Sequence, residues 1–230
     1  MIEILFQDDY ILAVHKPNNM LVHHSVMANN QHEEKSLVQL LNNELGSKFY
    51  PIHRLDRKTS GIILFAKQKE FVKSFQDLFI NNQIQKTYYG LVRGFISGEG
   101  KIDSPVKGRD ANVHKEALTY YKLLETFEIP IKVGPYDFSR YSLVELQPKT
   151  GRLHQLRIHM NKISHPLIGD PKYGDRFHNR MFKEKFKNKA MFLHAKTLVF
   201  THPFTDIQHY LETDFPDNWK LVLKKLNKGN

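Results

Sequence analysis

The chain has no cysteine among its 230 residues. This absence excludes disulfide bonds, cysteine-ligated zinc and thiol nucleophiles. No apolar run approaches the ~18 residues that a membrane-spanning helix needs. The N-terminal sequence MIEILFQDDYILAVHKP also lacks the basic start and the long apolar segment of a secretory signal. We therefore expect a protein without membrane association that works in the cytoplasm.

Glycine and proline are scarce, at 12 and 10 residues, and no repeat of fixed period is present, so neither disorder nor a repeat scaffold fits the chain. Acidic residues are outnumbered, with 24 Asp and Glu against 34 Lys and Arg, which gives a net charge of +10. Such an excess favours a polyanionic partner, RNA or DNA, through phosphate neutralisation. A requirement for solubility alone would explain the same charge. Whether the partner is a nucleic acid must therefore be inferred from the sequence motifs.

Several familiar sites are absent. The glycine-rich residues 94–101 mimic a phosphate-binding loop, but Phe95 and Ile102 stand where a Walker A loop needs glycine and a hydroxyl residue. No GxGxxG follows a predicted strand, and no GxSxG is present. The 13 histidines include no HExxH pair, and His154 and His159 are five residues apart, a spacing that places them on different helix faces. We therefore expect neither a cofactor nor a metal.

The sequence pattern predicts an α+β fold. In the first part of the chain it predicts strands at 2–6, 11–15 and 61–66, a helix opened by Ser36 with a capping box to Gln39 and closed by Gly46, and a second helix from Glu70. Further along it predicts a strand-rich region from Lys86, a helix over 152–163 with Leu153, Leu156 and Met160 on one face, a surface loop or short helix at 176–190, a strand at 196–200 and a helix at 218–226. We expect one domain across 1–230, with a mixed, mainly antiparallel sheet flanked by helices.

One carboxylate stands among three cations in residues 53–61, HRLDRKTSG. The neighbouring cations favour the ionised form of Asp56, which makes it available as a nucleophile or a general base. A turn-forming Thr-Ser-Gly and a buried strand follow it. A surface loop with ordinary ion pairs would show the same residues.

Two further segments carry groups suited to nucleic-acid chemistry. Residues 149–159, KTGRLHQLRIH, place two arginines, two histidines and a glutamine at a glycine-started helix, whose N-terminus attracts anions. Residues 86–89, KTYY, put aromatics beside a cation, an arrangement that can stack on a base. A basic surface helix and core tyrosines would explain these segments equally well.

Together these segments resemble the RluA-like family of pseudouridine synthases over nearly the whole chain. Residues 53–61 resemble the catalytic HRLDxxTSG motif without departure, and residues 149–159 resemble its GRxHQxRxH motif. The KxY element at 86–88, GDPKYG at 169–174 and LHA at 193–195 also fit. Five matches in the family's order are far more specific than any one of them.

The sequence departs from the family pattern at one position. The KPxGxxVH element reads KPNNMLVH at 16–23, with Asn19 in the place of glycine. Asparagine tolerates positive φ better than most residues, so we expect the turn to survive. The residues before His53 are taken up by this element and a helix, and we expect no separate N-terminal RNA-binding domain.

The resemblance implies that the chain isomerises a uridine in a structured RNA to pseudouridine without a cofactor. It implies three catalytic residues: Asp56, which acts on the sugar or the base, Tyr88, which packs on the flipped uracil, and Arg157, which pairs with Asp56. It also implies a set of substrate-binding residues, with Arg54 filling the gap left in the RNA: His53, Arg54, Arg152, His154 and Gln155.

Residues 128–140, EIPIKVGPYDFSR, and the YSLVELQPKTGR that follows resemble family members that act on tRNA. The resemblance therefore predicts a T-stem uridine of the position-65 type as substrate and a monomer as the working unit. A ribosomal RNA target is the alternative, because the same catalytic motifs serve both RNAs. A noncatalytic RNA-binding protein would gain nothing from Asp56 facing phosphates, and a DNA glycosylase would need other motifs.

Overall fold

A computed structural model describes residues 1–24, 34–107 and 113–227. They divide into two compact units, each described by itself below. The first unit comprises Met1–Lys86 and Ala195–Asp214, and the second comprises Thr87–His194 and Phe215–Asn230. The predicted single domain across 1–230 stays a prediction.

The helices of the described residues are α1 (Leu37–Leu45), α2 (Val72–Ile80), α3 (Gln155–Lys162), α4 (Arg176–Lys185) and α5 (Asp217–Asn227), and a 3₁₀ turn at Lys69–Phe71 leads into α2. The strands are β1 (Ile4–Gln7), β2 (Ile11–Lys16), β3 (Tyr50–Pro51), β4 (Ser60–Ala66), β5 (Gln85–Arg93), β6 (Glu99–Asp103), β7 (Val106–Lys107), β8 (His114–Lys115), β9 (Leu118–Ile129), β10 (Ser139–Pro148), β11 (Leu193–Thr201) and β12 (Gln208–Glu212). The α+β class and the mainly antiparallel sheet are confirmed.

The first unit is built on an antiparallel sheet whose central strands are apolar on both faces. Its strand order is β1-β2-β4-β11, with β12 paired to β11 and β3 to β4. Every residue of β4 is buried, as predicted for this run. One face packs Ile11 and Leu64 against Phe75 of α2. Burial on both faces explains why β4 is a continuous apolar run instead of an alternating one.

Helix α1 begins and ends as its sequence predicts. The Ser36 hydroxyl accepts a hydrogen bond from the Gln39 N–H, and the Gln39 side chain accepts one from the Ser36 N–H at 2.9 Å. At the other end Gly46 adopts a left-handed conformation with φ +66°, and its N–H bonds to the carbonyl of Asn42. The capping box and the glycine terminus are both confirmed.

The second unit contains an antiparallel sheet in the order β5-β10-β9-β6, covered by helices. Helices α4 and α5 contribute Phe182 and Trp219 to one core cluster. Helix α3 contributes Leu156 and Met160 to another. The helices pack on the sheet because their apolar residues are buried in these two clusters.

The structure corrects the predicted start of the helix at 152–163. Helix α3 begins only at Gln155, because His154 adopts a left-handed conformation with φ +55°. Leu153 therefore precedes the helix and is exposed, so its predicted place beside Leu156 and Met160 was wrong. For the residues from 176, the short-helix alternative was right, since α4 spans Arg176–Lys185.

Candidate active site

Asp56 lies in the loop between β3 and β4. The N–H of Thr59 donates to its carbonyl oxygen at 3.0 Å and closes the turn that leads into β4. Leu55 beside it is buried, and Asp56 itself is half-buried. The buried Leu55 side chain thus anchors the loop in the core, while Asp56 remains partly accessible to solvent.

Lys16, at the end of β2, is hydrogen-bonded to this loop. Its side chain is fully buried, and its ammonium donates to the carbonyls of Pro17 at 2.8 Å, Met20 at 2.9 Å and Arg57 at 3.1 Å. Burial lowers the pKa of Lys16 to about 7, against an opposing effect from the charge of Asp56. Sequence reasoning missed this residue as a positioning group, although a lysine closing an apolar strand was the available signal.

Two asparagines connect the same segments. Asn19 has φ +63°, so the asparagine supports the turn that the family builds with glycine, as predicted. Its carbonyl accepts a hydrogen bond from Arg57 Nε at 3.3 Å. The amide of Asn18 donates to the carbonyl of Lys58. The KPNNMLVH and HRLDRKTSG elements therefore form one hydrogen-bonded assembly.

The last residue of HRLDRKTSG, Gly61, must be glycine for steric reasons. Gly61 has φ +112°, a conformation that side-chain-bearing residues rarely adopt. A Cβ atom at this position would lie 2.6 Å from the backbone nitrogen of Ala195 and closer still to its carbonyl oxygen. Only glycine allows β4 to approach β11 immediately after the loop that carries Asp56.

His53 and Arg54 begin the same loop, and they differ in environment. His53 Nε2 accepts a hydrogen bond from the Leu64 N–H at 3.0 Å, and its ring lies 4.5 Å from that of Phe79. Burial, reinforced by the charge of Lys86, lowers the pKa of His53 to about 3, so the ring is neutral. Arg54 is exposed. One ring nitrogen of His53, Nε2, is therefore occupied by a hydrogen bond within the protein. Substrate binding by His53 or Arg54 stays a prediction.

Arg157, in α3, forms an ion pair that sequence reasoning missed. Its guanidinium binds the Asp170 carboxylate with two bonds, Nε to Oδ2 at 2.7 Å and Nη2 to Oδ1 at 2.9 Å, and both side chains are buried. The guanidinium carbon also lies 5.2 Å from the centre of the Tyr173 ring. Asp170 belongs to the GDPKYG match, which was the signal for a partner.

The environment of Asp170 keeps it ionised. Burial acts to raise its pKa, but the hydrogen bonds from Arg157 and from the N–H groups of Tyr173 and Lys172 outweigh that effect. The pKa of Asp170 is therefore lowered from its ordinary value. The Asp170 carboxylate thus accepts hydrogen bonds from the backbone of the following turn and is also the counter-ion of Arg157.

Gln155, predicted to bind substrate, is buried with its hydrogen-bonding capacity filled by the protein. Its carbonyl oxygen accepts from Thr150 Oγ1 at 2.7 Å and from the Arg152 N–H at 3.1 Å. Its amide donates to the Leu118 carbonyl and to Thr119 Oγ1, both at 3.0 Å. This geometry makes Gln155 a group that fixes the loop before α3, and substrate binding by Gln155 stays a prediction.

The remaining predicted residues lie in the second unit. Arg152 is exposed and its Nε donates to the Glu116 carbonyl at 3.0 Å. His154 Nδ1 lies 3.2 Å from the Tyr173 hydroxyl, which links it to the ring beside Arg157. Tyr88 is half-buried in β5, opposite Leu146 of β10. The roles predicted for these residues stay predictions.

The described segments are residues 1–24, 34–107 and 113–227. Within these segments, no three His, Asp or Glu side chains converge as metal ligands would. No helix there has the length and apolar character of a membrane span.

The fold is a mainly antiparallel sheet with helices, and the loop that carries Asp56 leads into β4. Residues 10–162 match the family described as RNA pseudouridylate synthase. The chain belongs to this family, whose members are isomerases that convert uridine to pseudouridine in RNA. The predicted class of enzyme is confirmed.

The relatives are more specific than the family. The chain is 42% identical to tRNA pseudouridine synthase C of Pasteurella multocida, covering 95% of this chain and 93% of the relative. It is 39% identical to the protein of that name from Vibrio cholerae, over 98% and 96%, and 38% identical to that from Haemophilus influenzae, over the full length of both. These names confirm the resemblance, predicted from residues 128–152, to family members that act on tRNA.

Solved structures agree on the fold. The chain is similar to human RNA pseudouridylate synthase domain containing 4, with a TM-score of 0.73 and 25% identity over 98% of this chain and 93% of the other. It is also similar to human RNA pseudouridylate synthase domain containing 1, with a TM-score of 0.72 and 21% identity over 99% and 95%. The second likeness supports the fold alone.

Proposed function

We propose that this protein converts one uridine of tRNA to pseudouridine, at a T-stem site of the position-65 type. The observation that carries the proposal is the full-length similarity, at 38–42% identity, to bacterial proteins named tRNA pseudouridine synthase C. The segment at 128–152, from which the sequence predicted a tRNA target, lies within that similarity. The proposed place of action is the cytoplasm, where tRNA is found, and the proposed working unit is a monomer.

The proposed reaction is an isomerisation. The bond between the sugar and N1 of uracil breaks, the uracil rotates, and a bond from C5 of the base to the sugar forms, with the proton lost from C5 balanced by the one gained at N1. No electron or group is transferred to another molecule, so the reaction requires no cofactor. The base must leave the RNA stack to reach the enzyme, as in other base-modifying enzymes.

Asp56 is the proposed catalytic carboxylate. Three features support this role: it is half-buried, its loop is closed by the Thr59 N–H, and Lys16 holds the next carbonyl along the chain. A held loop reduces the entropy lost on reaching the reactive geometry. Catalytic roles for Tyr88 and Arg157, and substrate binding by Arg54, rest on the motif resemblance.

The experiment that tests the proposal incubates the purified protein separately with unmodified tRNA and with ribosomal RNA fragments, and maps pseudouridine in each. The expected result is a single pseudouridine in the T-stem of tRNA and none in ribosomal RNA. Modification of ribosomal RNA alone would remove the tRNA assignment and leave the synthase assignment standing. Binding of both RNAs without any isomerisation would instead support a noncatalytic RNA-binding protein.

A further inference from the structure

Helix α4 carries a row of cations on its outward face. Arg176, Arg180 and Lys183 stand at i, i+4 and i+7, and Lys187 follows at i+11, just after the helix ends at Lys185. At ~100° per residue, Arg180 and Lys183 lie within about 40° of Arg176 around the helix axis. Lys187 has φ +55° and follows them beyond the helix end. All four side chains are exposed. We refer to these four residues as the basic stripe.

The opposite face of α4 is fixed in the core. Met181 and Phe182 are buried there, as is Phe186 beyond the helix end. The Asp175 carboxylate caps the helix by accepting from two backbone N–H groups, and Arg93 holds it with a bond of 2.7 Å. Because one face is packed and the first turn is capped, the basic stripe has a fixed outward direction.

The stripe is not neutralised by the protein. Among the described residues, no carboxylate lies within 4.0 Å of any stripe cation. The exposed Lys122 of the second unit has a different setting. Lys122 in β9 stands across from Glu99 of β6 on one side and Glu145 of β10 on the other. Four cations with no carboxylate within 4.0 Å therefore stand together along α4 and at its end, and Glu184 is the one acidic residue of the helix.

An aromatic ring lies beside the first cation of the stripe. Phe177 is 52% exposed, and the guanidinium carbon of Arg176 lies 4.7 Å from its ring centre. A cation on an exposed aromatic ring is a surface on which nucleic-acid bases and sugars can pack. This feature favours RNA over a purely electrostatic partner.

We propose that the basic stripe of α4 is a docking surface for the phosphate backbone of the RNA substrate. The inference rests on the proposed function, since it assigns part of the surface that would receive the tRNA. Arg176 and Lys183 are seven residues apart, about 10 Å along the helix, which is long enough to contact several phosphates. Such contacts fix the orientation of the RNA and carry no sequence information, so the stripe orients a stem and does not choose the uridine.

The test compares two double variants that remove the same charge from the same segment. Arg180→Gln with Lys183→Gln removes two stripe cations. Lys185→Gln with Lys189→Gln removes two exposed cations outside it, with Lys185 about 180° around the helix from Arg176. Unchanged melting temperatures would show that both variants fold, as expected for exposed side chains.

The measurement is the Kd for an unmodified tRNA transcript as a function of salt, together with KM and kcat. For the stripe variant we expect the slope of log K against log salt to fall by about 1.4–1.8, and the Kd at 0.15 M salt to rise about 10- to 30-fold, because each phosphate contact contributes ~0.7–0.9 to the slope. KM should rise in parallel, with kcat at saturating RNA within about twofold. The Lys185 and Lys189 variant should change the slope by less than half as much.

Equal losses in the two variants, or no loss in either, would overturn the docking assignment. The binding curves do not depend on catalysis, so they report on the stripe separately from the proposed function. If the wild-type protein binds tRNA through the stripe but forms no pseudouridine in it, the proposed function fails and the docking surface stands. If the wild-type protein modifies tRNA and the stripe variant binds normally, the proposed function stands and the docking surface fails.

Discussion

The guanidinium of Arg157 is held by the carboxylate of Asp170 through two hydrogen bonds of 2.7 and 2.9 Å in a buried environment. Both groups are removed from water, so each depends on the other for compensation of its charge. The orientation of Arg157 is therefore set by a residue thirteen positions along the chain, and not by α3 alone. Any function of Arg157 in the reaction depends on Asp170 as a positioning residue.

Replacing Arg157 with lysine should reduce both stability and activity. An ammonium keeps the charge but cannot reproduce the two-bond contact with Asp170. We expect a loss of about 1.5–3 kcal/mol in the free energy of unfolding, the range for a hydrogen bond to a charged group, and a severe loss of pseudouridine formation. Urea unfolding and a single-turnover assay would measure the two effects.

Arg140→Lys is the matched control. Arg140 also binds a carboxylate, that of Glu128, but both side chains are more than a third exposed. Exposed pairs contribute little, and we expect a change below about 1 kcal/mol. Near wild-type activity and stability in Arg157→Lys would place Arg157 outside the catalytic machinery.

The buried Lys16 predicts a pH dependence of stability. Its pKa is lowered from 10.5 to about 7 in the folded protein, so between pH 7 and pH 10 the unfolded chain binds more protons at this residue than the folded chain. The contribution of Lys16 to stability therefore rises with pH through this window. The free energy of unfolding of the wild type, relative to Lys16→Met, should increase by about 2 kcal/mol between pH 7 and pH 9.

Comparison with Lys16→Met removes the other groups that titrate in the same range. Denaturant unfolding at pH 7, 8 and 9 would measure the difference. A difference that stays flat or decreases with pH would mean that the Lys16 ammonium is not buried as described. The methionine variant should also have a lower kcat, because the carbonyls of Met20 and Arg57 lose their common donor.

Gly61→Ala should prevent normal folding or lower stability by more than about 3 kcal/mol, because a Cβ atom meets the backbone of Ala195 and the φ of +112° is itself strained. Gly134→Ala is the control, since Gly134 also has a positive φ, +65°, but has nothing within 4 Å of a Cβ. It should lose only about 1–2 kcal/mol, the cost of the left-handed conformation. Thermal unfolding of both variants separates the two causes, and equal losses would rule out the close approach of β4 to β11.

Elements that depend on local chemistry were predictable from the sequence. The capping box at Ser36, the terminating Gly46 and the apolar run of β4 each follow from neighbouring residues, and all three are confirmed. Strands β6 and β12 were missed because each has a single buried residue, which leaves almost no apolar pattern to detect.

The site was predictable in its motifs but not in its contacts. Asp56 was identified because the motif around it is contiguous. The ion pair of Arg157 with Asp170 was not identified, because it depends on how the chain after α3 turns back, and the sequence shows only that both residues are present. The predicted pairing of Arg157 with Asp56 stays a prediction. Gln155 illustrates the same limit, because its amide bonds Leu118 and Thr119 in a distant strand.

The most direct test of the account is pseudouridine formation by Asp56→Asn. The amide is nearly isosteric with the carboxylate and should leave the loop, the melting temperature and the affinity for tRNA close to those of the wild type, but it cannot serve as a nucleophile or a base. Wild-type and variant protein would be incubated with unmodified tRNA, and the pseudouridine formed would be quantified over many turnover times. The account predicts no detectable product from the variant, and normal turnover by Asp56→Asn would contradict it.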